Sequence, residues 1–162
     1  MTCPTIAQTA TALRTKLAAM LAGESGVQIV PETESFEPNA GGIMCLQSFR
    51  PSSSETAELG GRAGLARRHG LYLITFSAPW GAGMAADVQR LAELCMAGFR
   101  QLELATDGGP VYTDEPVCVW GEAHAAPTPA GGTQTEVIGK DPDGRYSMSV
   151  AVPWTAWTGG NA

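Results

Sequence analysis

Basic residues are scarce in this chain. Ten Lys and Arg stand against sixteen Asp and Glu, a formal net charge of −6 with histidine neutral. A protein that grips DNA or RNA through phosphates ordinarily carries a basic excess, so sequestering nucleic acid does not fit the chain. An acidic surface instead lets DNA slide past. No uninterrupted apolar run reaches about 18 residues, the length a membrane-spanning helix needs. The first residues have neither a basic region nor an apolar stretch of the secretory kind, so the expectation is a soluble protein made in a cytoplasm. The four cysteines, Cys3, Cys45, Cys95 and Cys118, include no C-x-x-C pair. A compact zinc site therefore has no support, and buried reduced thiols are expected. Histidine is limited to His69 and His124, and no G-x-S-x-G nucleophile turn is present.

What is there reads as one folded α+β domain over residues 1–162. The hydrophobic fraction is 44%, enough for a sizeable core at this length. Thr5 to Leu21 has helical spacing in Ile6, Ala10, Leu13, Leu17 and Met20, and Thr5 with Gln8 can form a capping box. Met84 to Leu102 repeats the pattern through Val88, Leu91, Cys95, Phe99 and Leu102. Strands are expected at Val27–Val30, Ile43–Phe49, Ala66–Ser77, Val117–His124 and Tyr146–Val152. In the clearest of them Tyr72, Ile74 and Phe76 face one side, and Leu71, Leu73 and Thr75 the other. Long loops are expected at about residues 31–42, 51–65 and 125–135, with the second of them mobile. "KDPDGR" carries an Asp-Gly turn signal and predicts a hairpin between Glu136–Ile138 and Tyr146–Val152. The fold class that results is a mixed, mostly antiparallel sheet packed by two helices.

An internal echo stands out: Tyr72 and Tyr146 each lie seven residues before a Pro-Trp pair, Pro79-Trp80 and Pro153-Trp154. It predicts two neighbouring strands that leave the sheet at matched positions, with proline blocking further pairing.

Gly81, Gly83 and Ala86 fit the dinucleotide pattern G-x-G-x-x-G/A, and Asp107 falls where a ribose-binding acid would sit. Against that reading, the strand before the glycines alternates, unlike a buried parallel strand. The residues after Asp107 also read as strands without another helix. His69 lies beside Arg67 and Arg68 and is poorly placed as a base. Asp107, Asp114 and Glu115 read as a solvated acidic stretch. No set of side chains has usable catalytic spacing, so neither a cofactor nor an enzymatic activity is expected. Arg62, Arg67 and Arg68 form the one basic cluster, and Trp80, Trp154 and Trp157 lie near strand or loop ends. The arginines read as a solvated face or a subunit contact, and the tryptophans as subunit anchors or core packing.

The strand Arg67 to Gly83 has the form "R-x-x-G-L-Y-x-I-x-x-x-A-P-x-G-x-G". A long helix reaching Phe99 follows, and the chain closes on "V-P-W-T-A-W", Val152 to Trp157. In this the chain resembles the tail-terminator-like family of tailed phages and gene transfer agents, related in fold to the lambda-type tail terminator. The resemblance implies a structural virion protein at the neck. There a ring, a hexamer in the family, caps the head-proximal end of the tail tube, ends tube polymerisation and docks to the head–tail connector. DNA would pass through the lumen without specific binding. Interface candidates on this reading are Arg62, Arg67, Arg68 and Trp80, with the acids Glu34, Glu37, Asp114 and Glu115 as partners on a neighbouring subunit. The readings it competes with are another connector, stopper or tube subunit, and a small nucleotide-binding enzyme.

Overall fold

The computed structural model describes residues 3–32, 42–52, 55–56, 66–79, 83–119 and 145–158. The first helix, α1 (Ile6–Leu21), begins where the capping box is expected. Gln8 N donates to the Thr5 hydroxyl, and Thr5 N donates to the Gln8 side chain. Its buried stripe holds Leu13, Leu17 and Leu21. Strands β1 (Val27–Ile29), β2 (Ile43–Pro51), β3 (Glu55–Thr56) and β4 (Ala66–Pro79) follow. Then come α2 (Met84–Phe99), β5 (Glu103–Thr106), β6 (Gly109–Thr113), β7 (Val117–Val119) and β8 (Arg145–Thr158).

All eight strands share one sheet of order β1-β2-β4-β8-β6-β5, with β3 beside β4 and β7 beside β8. Only β1 and β2 run parallel. The described residues thus form one α+β domain with a mixed, mostly antiparallel sheet. Its spine is the β4–β8 ladder, in register from Ala66↔Thr158 to Pro79↔Arg145. Each long strand is flanked on its far side by two short strands in series: β2 and β3 along β4, β7 and β6 along β8.

Alternation sorts these strands into two faces. On one, Tyr72, Ile74, Phe76 and Ala78 of β4 meet Tyr146, Met148, Val150, Val152 and Trp154 of β8. Leu13 and Leu17 of α1 and Val88, Leu91, Cys95 and Phe99 of α2 complete that core. Burying one large apolar side chain contributes about 1.5–3 kcal/mol, so this layer of core side chains fixes which way the sheet faces. Tyr72 and Phe99 meet edge to face at 6.1 Å, an arrangement aromatic rings favour.

Several expectations need correction. Pro153 does not end its strand: β8 continues to Thr158, paired throughout with β4. The two strands are neighbours, as the echo predicts, but they are antiparallel, so Pro79 lies opposite Arg145 and Pro153 opposite Leu71. Proline is tolerated because of where its missing N–H points. The Pro153 carbonyl accepts Asp114 N at 2.9 Å, and a strand residue's N–H and C=O share a side. The missing donor therefore faces the break between β6 and β7, where Asp114–Pro116 oppose only Val152 and Pro153. A ladder already interrupted by an extra residue loses nothing to proline.

The acidic stretch read as solvated loop holds a hairpin, Glu103–Thr106 against Gly109–Thr113, turning at Asp107-Gly108. The loop over 51–65 contains β3. Helix α2 stops at Phe99, short of Leu102, because Thr113 of β6 captures its end. The Thr113 hydroxyl donates to Phe99 O at 2.5 Å and accepts from Leu102 N at 3.0 Å. Gln101 follows with φ of 45°, which no helix continues. The "KDPDGR" hairpin and His124 lie outside the described residues.

Candidate functional site on the helix-free face of the sheet

The opposite face of the sheet carries no helix among the described residues. It presents Arg67, His69, Leu71, Leu73 and Thr75 from β4, and Ser149, Ala151, Pro153, Thr155 and Trp157 from β8. Leu46 joins them opposite Thr75, Tyr112 opposite Thr155, and Val117 opposite Ala151. Of the described large hydrophobics left exposed, five stand here: Leu46, Leu71, Tyr112, Val117 and Trp157, from 38% for Tyr112 to 56% for Val117. Scattered exposed apolar residues are ordinary, but a set gathered on one face marks an interaction surface.

Four of the eight interface candidates are described. Arg67 lies on this face, its guanidinium carbon 5.9 Å from the centroid of the Trp157 ring across the ladder. Arg68 points to the other face, where Nη1 donates to Pro4 O at 3.2 Å. Its role is to hold the segment before α1. Glu115 is engaged within the chain by Arg100 Nε at 2.9 Å. Asp114 accepts Glu115 N at 2.8 Å and lines the same cleft as Arg67. The structure therefore brings Arg67 and Asp114 of one chain together and separates Arg68 from both. Arg62, Trp80, Glu34 and Glu37 lie outside the described residues. Glu32, at the start of their acidic stretch, is bound to Arg14 and accepts Phe49 N at 3.0 Å. Of the other tryptophans, Trp154 is core, 2% exposed and stacked on Phe49 at 5.1 Å, whereas Trp157 is 41% exposed.

The cleft has a volume of about 520 Å³ and opens between the β2 end, β4 and β8. Arg50, Arg67, His69, Leu71 and Asp114 line it, with Trp154 beneath. Sequence reading missed it because its walls come from residues about a hundred positions apart. A second hollow of about 640 Å³ runs between α1 and β5, the strand at one edge of the sheet. An edge strand offers unpaired backbone groups to another chain.

Reactive chemistry finds little footing. No group of three or more His, Cys, Asp or Glu able to hold a metal occurs among the described residues. All four cysteines are free; Cys45 and Cys95 are buried, while Cys3 and Cys118 are half-buried. Burial pushes the Cys45 thiol well up and the Cys95 thiol to about 12, so neither supplies a thiolate at neutral pH. Gly83 of the dinucleotide pattern is the N-cap of α2, with φ of 83°. The strand before it is antiparallel to both β2 and β8, whereas the dinucleotide unit needs parallel strands joined by a crossover helix. No described helix is long and apolar enough to cross a membrane.

No protein-family model matches the chain, and no curated protein matches it in sequence. A solved structure whose name states no activity has the same architecture, with a TM-score of 0.62 at 14% identity over 94% of this chain and 95% of that one. At that identity the likeness is one of fold.

Proposed function

We propose that this chain is a structural subunit of a tail-terminator-like ring at the head–tail junction of a virion. It would cap the tail tube and dock to the head connector. The observation that carries the reading is the placement of the resemblance motif. Its strand, Arg67 onward, runs along the sheet's spine, and its outward side chains lie on the face where exposed apolar groups gather. A ring requires head-to-tail contacts between two different patches of each subunit. The helix-free face supplies one patch, and the α1–β5 hollow, with a strand that is an edge among the described residues, supplies a second. The net charge of −6 suits a lumen through which DNA slides without being held. The ring number of six comes from the family resemblance.

The experiment is twofold. Native mass spectrometry of the purified chain, alone and with its tail-tube protein, should find a closed oligomer, and the chain should shorten tubes polymerising in its presence. Cryo-electron microscopy of the particle should place it once, as a ring at the head-proximal end of the tail. A chain that lines the tube along its length, or a monomer that leaves tube growth unaffected, defeats the proposal.

A further inference from the structure

We infer that the hollow between α1 and β5 is a docking groove for an extended segment of another protein chain. The segment adds a strand to β5, turns apolar side chains towards α1 and carries basic side chains between them. The groove alone carries this, so it holds whether or not a ring forms.

Among the described residues the sheet order ends at β5. In an antiparallel ladder, residues bonded to the partner strand alternate with residues whose N–H and C=O point away from it. Leu102 O accepts Thr113 N at 2.8 Å, so the register directs the backbone groups of Leu104 and Thr106 to β6 as well. Glu103 and Ala105 turn theirs to the open side, where neither has a partner among the described residues. The hollow reaches Leu104 and Ala105 from the side of α1 away from Leu13 and Leu17. There Ala7, Ala12 and Ala19 leave room, in about 640 Å³, for side chains entering from a strand laid beside β5. A strand added at a sheet edge gains affinity from backbone bonds and specificity from alternate side chains.

Charge selects the occupant. Glu103 at the start of β5 and Asp107 just past its end are exposed. Neither is in an ion pair among the described residues. Lys16, on the α1 wall, is the one basic residue of the lining, so the two acids outnumber it. Opposite charges on neighbouring strands stabilise a sheet, and like charges directly opposite destabilise it. Side chains beside Glu103 share its helix-free face, and those beside Leu104 share the core face. The favoured strand therefore alternates: Lys or Arg beside the acids, apolar residues turned into the hollow. The β5 of a second copy does not qualify, because it would bring another Glu103 and Asp107 to the same short ladder.

The test uses the intact protein labelled with nitrogen-15, at constant ionic strength. The probes are acetylated, amidated peptides of sequence "KVKVKVK", "EVEVEVE" and "KSKSKSK". The first should bind saturably and slow hydrogen exchange at the Glu103 and Ala105 amides, and the other two should bind more weakly. Ala105→Pro removes one outward donor and spares the β6 ladder. It should weaken the first peptide by about fivefold or more, the loss of one hydrogen bond. Glu103→Lys, an exposed change that leaves the fold alone, should weaken it by about threefold or more. Glu93→Lys makes the same charge change at an exposed position of α2 and should have no effect. Absence of saturable protection at these amides, equal binding of either control peptide, or indifference to Glu103→Lys overturns the inference. Protection that rises with protein concentration alone identifies a second copy as the occupant and also overturns it. Native mass spectrometry reads the ring separately, so a ring that forms while the groove ignores the first peptide defeats this inference alone.

Discussion

Gly70 and Trp154 lie opposite each other in the β4–β8 ladder, and the indole occupies the space a side chain at Gly70 would need. A Cβ at that position would stand 2.4 Å from Arg50 O and 2.9 Å from the Pro51 Cα, as well as 2.7 Å from Trp154 Cζ2. Two of those neighbours are backbone of β2, so relief requires strands to move apart. Gly70→Ala should therefore destabilise the fold by about 1–3 kcal/mol, the usual cost of overpacking. The urea midpoint should fall, and an unchanged midpoint would contradict the packing described.

Thr113 ties the end of α2 to β6. Its hydroxyl serves Phe99 O and Leu102 N at once, and the side chain is 6% exposed. Thr113→Val keeps the shape and removes both partners. Leaving buried groups unpaired costs about 1–3 kcal/mol each, so Thr113→Val should lower stability by at least that amount and raise hydrogen exchange at Leu102. Thr113→Ser should retain most of the wild-type protection.

The buried thiols set an alkaline limit. Burial raises Cys95 to about 12 and Cys45 further, against 9.0 for the exposed thiol. The folded state therefore keeps protons that the unfolded chain releases. The contribution is fully present below pH 9 and is lost as pH rises from 9 towards 12. While both thiols titrate only in the unfolded chain, each adds a slope of up to about 1.4 kcal/mol per pH unit. Denaturation followed across that range should show stability falling, and Cys95→Ala should flatten the fall. Iodoacetamide at pH 8 should label Cys3 and Cys118 well before Cys45 and Cys95.

Where local chemistry decides structure, the sequence is readable. The Thr5–Gln8 capping box and the alternation along Leu71 to Phe76 depend on near neighbours, and both form as expected. Expectations miss where a distant strand decides. Nothing near Phe99 says that Thr113 will catch it. Nothing near Pro153 says that its absent donor will meet a break between two other strands. The Asp107-Gly108 turn has the same signal as Asp143-Gly144, but the acids around it favour a solvated reading. Alternation at Leu71 also tells that two faces exist without telling which one the helices cover. The cleft is the extreme case, since Arg50, His69, Asp114 and Trp154 become neighbours only through sheet order.

That same sheet order separates two arginines that adjacency in sequence groups together, and the separation yields the sharpest test of the interaction face. Arg68 holds Pro4 O from the core side, so Arg68→Glu should cost about 1.5–3 kcal/mol of subunit stability, as lost hydrogen bonds to charged groups do. Arg67 stands on the helix-free face, and Arg67→Glu should leave subunit stability within about 0.5 kcal/mol. Exposed ion pairs contribute only about 0.2–1 kcal/mol each, so apolar contact must supply most of any association at this face. Leu71 and Val117 are the exposed side chains best placed to do so. Leu71→Asp with Val117→Asp should therefore keep the thermal midpoint of the isolated subunit and reduce the oligomer by about tenfold or more in sedimentation velocity. Leu94→Asp, equally surface-placed but on α2, is the matched control and should assemble as wild type. Association unchanged in the double variant would mean that subunits meet elsewhere, with the α1–β5 hollow the next surface to probe.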